Sequence, residues 1–199
     1  MSNGIRTNDT KKGRLPIVQY EALNPAQKAV YDAISSGPRG KVEGPLAIWV
    51  MNPILADNLQ RLGTYCRYGS SLPPRLSELA IIIVGAFWKS EFEWNAHAPI
   101  AEKAGIAQSI IEALRQQKVP KFVQSDEAAI YYFVRSILEE HQITDPVYQA
   151  LINEMGEAAV IDLVGIVGYY CLVCMTLNVF RVPLPENCPA VFDSPQPTL

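Results

Sequence analysis

The chain has 199 residues, of which 49% are apolar and 19% charged, a globular composition with room for one hydrophobic core. A net charge of -3 with dispersed basic residues excludes the basic face that a phosphate-backbone binder needs, so no nucleic-acid partner is expected. The opening stretch MSNGIRTNDTKKGRLP lacks the apolar run of a secretory signal, and four cysteines without such a signal point to free thiols in a reducing, cytoplasmic setting.

Residues 1-14 read as a flexible polar arm ahead of a domain spanning 15-182. Asn24-Pro25 starts a helix, since Asn caps and Pro tolerates the first helical position; AQKAVYDAISS follows and stops at Gly37-Pro38. The Gly- and Pro-rich GPRGKVEGPLAIWVMNP carries an apolar centre, LAIWVM, expected as a loop tucked over a pocket or a partner. From Ile54 to Tyr68 the leucines at 55, 59 and 62 share one helical face. Pro73-Pro74 launches RLSELAIIIVGAFWK, Arg75 to Lys89, apolar almost all round as in a central helix. Ser90 restarts a helix to Gly105, with Pro99 expected to bend or split it. Further helices are expected over 108–117, 126–142, 145–154 and 157–180, followed by an extended Pro-rich tail, 183-199. The run Leu163 to Phe180 has no formal charge, but its glycines, tyrosines, Thr176 and Asn178 favour a fully buried central helix over a membrane span. No useful length alternates with period two, so the fold class is all-α.

Two histidines are available for chemistry. His141 ends a charged helix and reads as an exposed residue favoured by the helix dipole. His97 stands four residues after Glu93, so the two side chains share a face within hydrogen-bonding reach, and a carboxylate beside an imidazole suits acid–base work. Ser90-x-x-Glu93 also fits a capping box, which would leave Glu93 closing a helix start and His97 a satisfied interior residue. Cys171-x-x-Cys174 has dithiol spacing but sits in the apolar run with no His, Lys or acid beside it in sequence, and reads as two core cysteines.

The segment PPRLSELAIIIVGAFWKSEFEWNAHAPIAEKAGI, with NPAQKAVYDAI upstream and LN-x-F-x-V-P-L-P downstream, resembles the carboxymuconolactone decarboxylase family, which shares its fold with alkyl hydroperoxidase D (AhpD). The resemblance covers Asn24 to Pro185 and implies an AhpD-like helical bundle that is oligomeric, a trimer or hexamer. The peroxidase branch places a glutamate, two cysteines and a histidine in fixed spacing. Glu78 and His97 fall at the outer positions here, while Ser90 and Glu93 stand where the cysteines would be, as in the decarboxylase branch.

That resemblance implies a lyase that decarboxylates a small lactone or cyclic carboxylic acid without a cofactor. Losing carbon dioxide leaves an enolate that must be protonated; His97 would donate the proton or polarise the oxygen, supported by Glu93 and Glu78. Glu78 could instead only stabilise its own helix. Arg75 is the cation expected at a substrate carboxylate, unless it pairs with Glu78, and Trp94, Trp88, Tyr65 and Trp49 are pocket-lining candidates that could equally be core. No metal is implied, because one histidine with glutamates is a poor zinc set. No membrane partner is expected. Two alternatives remain open: a redox protein using Cys171 and Cys174, and a non-catalytic small-molecule binder.

Overall fold

The structure, a computed structural model, describes residues 13–15, 18–185 and 188–192. Residues 1–12 of the expected arm and 193–199 of the tail lie outside them. Among the described residues the regular structure is a short 3-10 turn, Tyr20–Ala22, and eight helices with no strand. The helices are α1 Pro25–Ser35, α2 Pro45–Trp49, α3 Pro53–Tyr68, α4 Pro74–Phe87, α5 Glu91–Ala104, α6 Gln108–Arg115, α7 Ser125–Glu139 and α8 Asp145–Phe180.

The punctuation residues set these boundaries. Asn24 and Gln27 form a reciprocal capping box at α1, with both bonds at 3.0 Å. Pro occupies an N-terminal position of α1, α2, α3, α4 and α8, where its missing N–H costs nothing. Gly105, at φ 109°, ends α5 in the left-handed region that glycine reaches without strain. Gly156, at φ 78° and ψ 174°, interrupts α8 between the two helices expected from sequence. Pro99 neither splits nor ends α5, which continues through it to Ala104.

Helix α4 is the axis of the bundle. Every residue from Leu76 to Ala86 is buried, and α4 packs against α5, α6, α7 and α8. Full burial of each of its isoleucines contributes about 1.5–3 kcal/mol, which explains an apolar run with no polar face.

The second half of α8 departs from its expected full burial. Leu163, Ile166, Val167, Tyr170, Cys174 and Leu177 face the core, whereas Ile161 (72% exposed), Val164, Met175 and Val179 form an open apolar face. Length and composition would let this helix cross a membrane, yet 56% of its most apolar window is inside the fold. Asp162 is also tied down there, accepting hydrogen bonds from the Tyr65 hydroxyl at 2.6 Å and from Ser71 N and Oγ at 2.7 Å each. These contacts identify a core helix with one uncovered side.

Leu46 to Trp49 of LAIWVM lie in the short helix α2 rather than a loop, with Val50 and Met51 in the turn that follows. Leu46, Trp49 and Val50 are buried, and Trp49 Nε1 donates to Thr176 Oγ1 on α8 at 3.1 Å. The first and last described segments pack onto the bundle. Arg14 donates from its backbone N and Nη1 to the carbonyls of Phe180 and Val179, completing the end of α8. The described part of the tail crosses the start of α5, where Val191 N and Phe192 N each donate to the Glu91 carboxylate at 2.8 Å.

Candidate functional site

The pairing of α4 with α5 brings Glu78, Glu93 and His97 into one line of buried groups. Glu78 lies on the second turn of α4 and is buried among its apolar neighbours. His97 Nδ1 is 2.6 Å from Glu78 Oε2. On the far side of the ring, Nε2 is 3.1 Å from Glu93 Oε1, the contact set by their i, i+4 spacing on α5. All three side chains are at most 7% exposed. The Tyr170 ring meets the imidazole edge to face at 5.4 Å and fixes its plane.

Glu93 is not a capping residue. Ser90 precedes α5, but its side chain makes no capping hydrogen bond, and the Glu93 side chain points to His97. Its Oε1, although close to Nε2, is off the line of a hydrogen bond and is a buried polar atom without an aligned donor. Burial raises the Glu93 carboxyl above the usual carboxylate range, opposed in part by His97, Arg67 and Arg39. A carboxyl so raised holds a proton more readily than a surface glutamate does, next to an imidazole positioned by a second carboxylate. The three groups can therefore hold and pass a proton.

Glu93 and His97 open onto a cavity of about 90 Å³, and Glu78 stands behind His97 away from it. The walls come from distant parts of the chain: Arg39 and Lys41 from the loop after α1, Pro45 and Leu46 from α2, Arg67 from α3, Phe92 from α5, and Tyr169, Tyr170 and Val173 from α8. LAIWVM thus does cover a pocket, through Leu46.

The remaining expected site residues are placed elsewhere. Arg75 is a structural anchor: its Nη2 pairs with Asp126 at 2.5 Å and its Nη1 with Glu127 at 2.6 Å, fastening α4 to the start of α7. It pairs with neither a cavity group nor Glu78. Trp94 is buried against Phe192 of the tail, with ring centroids 5.2 Å apart. Trp49 bonds Thr176, and Tyr65 is half exposed and bonded to Asp162. Trp88, past the end of α4, packs edge-on against Phe87. None of these five lines the cavity. His141 is exposed just past α7, at φ 60°.

Arg39, Arg67, Tyr169 and Tyr170 escape sequence reasoning, since nothing nearby in the chain marks them. Gly63 is the one local signal. An added Cβ there would lie 2.1 Å from the Tyr169 hydroxyl and 2.4 Å from Arg39 Nη2, so only glycine lets α8 and the Arg39 loop close on α3.

The cysteine pair sits apart from the cavity lining. Cys174 is fully buried, and burial together with the nearby Glu93 drives its thiol well above the usual range; burial also raises Cys171. An acid therefore does approach Cys174 in space, but its charge opposes a thiolate.

Residues 53–133, from α3 into α7 and including Glu78, Glu93 and His97, match the model of the carboxymuconolactone decarboxylase family. No curated protein matches the sequence. Among solved structures, the fold is similar to that of the debrominase Bmp8 (TM-score 0.67, 14% identity, covering 86% of this chain and 91% of that one). It is also similar to an alkylhydroperoxidase AhpD core, a peroxidase-related protein from Ralstonia eutropha JMP134 (0.66, 14%, 87% and 93%). A peroxidase-related protein from Silicibacter sp. TM1040 is comparable (0.67, 13%, 87% and 91%). The chain has the AhpD-like all-α fold, and its central segment carries the carboxymuconolactone decarboxylase pattern.

Proposed function

We propose that the protein is a cofactor-independent lyase that decarboxylates a small lactone or cyclic carboxylic acid through an enolate. The observation that carries this reading is the buried Glu78–His97–Glu93 line, with an imidazole held between two carboxylates at a cavity wall. When the bond to the departing carboxylate breaks, its electron pair stays on the substrate carbon and is delocalised into the neighbouring carbonyl. The Glu93–His97 pair then delivers one proton to that carbon, and solvent returns it. Glu78 orients His97 and offsets positive charge on the ring as the proton passes. Phe92, Tyr170 and Val173 limit water at the reacting carbon, which disfavours keeping charge on the leaving carboxylate.

The family match over 53–133 supports this branch of chemistry. The redox alternative requires a thiolate from Cys171 or Cys174, and both thiols are raised by burial. A homo-oligomer is the accompanying reading, favoured by the open apolar face of α8; the cytoplasm is its proposed location.

The test is carbon dioxide release across a panel of lactone and cyclic keto acids. Loss of release in a folded His97→Ala variant is expected, and unchanged turnover would refute the assignment. Ligand-induced thermal stabilisation without turnover of any panel member would leave a binding protein in its place.

A further inference from the structure

The cavity wall facing Glu93 carries cations that the proton-handling groups do not use. Arg39 and Arg67 both line it, and both lie close enough to Glu93 to draw its carboxyl down. Neither arginine makes an ion pair among the described residues. Lys41, the third cation there, is already paired with Glu43 at 2.5 Å. Arg39 is half-buried; its Nη2 donates to the Tyr169 hydroxyl at 3.4 Å, while its Nε is a buried donor without any partner. A buried guanidinium N–H is costly to leave unmade, so a fork held this way calls for an acceptor. Two guanidinium groups line the cavity together with Glu93 and His97, while Glu43 there is held by Lys41, so an anion entering it is drawn with its charged end to the arginines.

We propose that Arg39 and Arg67 form a carboxylate-binding subsite that holds the carboxylate the substrate keeps, leaving the reacting carbon beside Glu93 and His97. The ligand class is a small organic acid bearing a carbonyl a few bonds from the bound carboxylate. This rests on the cavity being the reaction site, and it divides the anchoring role between Arg39, outside the segment that matches the family, and Arg67 within it. Gly63 and Tyr169 position Arg39, the first by leaving room and the second by engaging Nη2.

The experiment is titration of the full chain with 4-oxopentanoate, an unreactive acid with one carboxylate and one carbonyl, beside its neutral methyl ester and inorganic phosphate. Binding is read by calorimetry and ligand-observed NMR up to high millimolar concentration. The acid is expected to bind, weakening with salt, and the ester to bind at least about tenfold more weakly. Arg39→Met and Arg67→Met are each expected to weaken the acid about ten- to a hundredfold, with partial recovery in the Lys variants and little change for the ester. Where Arg39→Met does not fold, Arg39→Lys and Arg67→Met carry the comparison, folding being checked by circular dichroism. The subsite is overturned if the acid does not bind, if the ester binds as well, if phosphate binds more tightly, or if folded arginine variants bind the acid like the parent. Normal acid binding without turnover of any lactone or keto acid would refute the reaction and leave the subsite standing. Turnover with an unchanged KM in the arginine variants would do the reverse.

Discussion

Gly63→Ala is the substitution in which fold and site respond together. On the solvent face of a helix this change stabilises by up to about 1 kcal/mol, because glycine loses the most backbone freedom on folding. Here the new methyl would start 2.1 Å from the Tyr169 hydroxyl and 2.4 Å from Tyr169 Cζ, where ordinary contact begins at 3.4 Å. The Arg39 guanidinium can swing away, being the far end of a flexible side chain. Tyr169 cannot do so freely: it is 4% exposed and wedged between Trp49 and Tyr170, with ring centroids 6.1 and 5.3 Å away. Overpacking of this kind costs about 1–3 kcal/mol, so after a helix gain of up to about 1 kcal/mol the net loss reaches about 2 kcal/mol. For a chain of this size that lowers Tm by up to about 8 °C. The same displacement carries Arg39 off the cavity, so KM for an acid substrate is expected to rise severalfold while kcat changes little. Thermal unfolding followed by circular dichroism, with steady-state kinetics on the same sample, reads both effects. A raised Tm with an unchanged KM would refute the close approach and the role given to Arg39.

Other outcomes follow from single groups. Glu93 has its carboxyl raised by burial, so the folded state binds a proton that the unfolded chain releases above about pH 4.5. Its contribution is complete below that value and lost as pH rises through the folded value. Denaturant titrations should show stability falling over this range by up to about 1.4 kcal/mol per pH unit, and the slope should flatten in Glu93→Gln. Arg75→Met strands the buried Glu127 carboxylate and should cost about 3–5 kcal/mol in urea unfolding, with kcat/KM of the folded fraction retained. Ile161→Lys with Val164→Lys places charge on the open face of α8 and should reduce the mass measured by light scattering if copies associate there; an unchanged oligomer would exclude that face. Cys66, pushed up to about 11, and Cys174 should resist thiol reagents until the protein unfolds, and rapid native labelling of Cys174 would reopen the redox reading.

The helices were legible wherever a strong local device sets them. Asn24 with Gln27, Pro53 and Pro73-Pro74 mark starts, and Gly156 marks the break that the expected boundary at Glu154 and Glu157 anticipates. Pro99 misleads because packing against α4 outweighs one lost helical hydrogen bond. In the site, the Glu93–His97 contact follows from i, i+4 spacing alone. The Ser90 pattern fits capping equally well, and only the folded chain shows the Ser90 side chain making no cap and Glu93 beside His97. Arg75 has the right chemistry for a substrate anchor, but its partners lie 51 and 52 residues away. Arg39 and Tyr169 are 130 residues apart in sequence and meet only once α8 packs on α3. Long-range pairings of this kind leave no local pattern, so the cavity walls were the least legible part. Helix α8 looked fully buried because its apolar residues on both faces read alike; only packing distinguishes the face toward the core from the open one.

The central claim is that Glu93 and His97 deliver a proton to the substrate carbon, and reaction in deuterated water followed by NMR of the product tests it most directly. With a lactone acid that the parent protein decarboxylates, the account predicts one deuterium at the carbon that lost the carboxylate. Turnover should fall at least about a hundredfold in folded Glu93→Gln and His97→Asn. Parent-like turnover and labelling in both variants would contradict it.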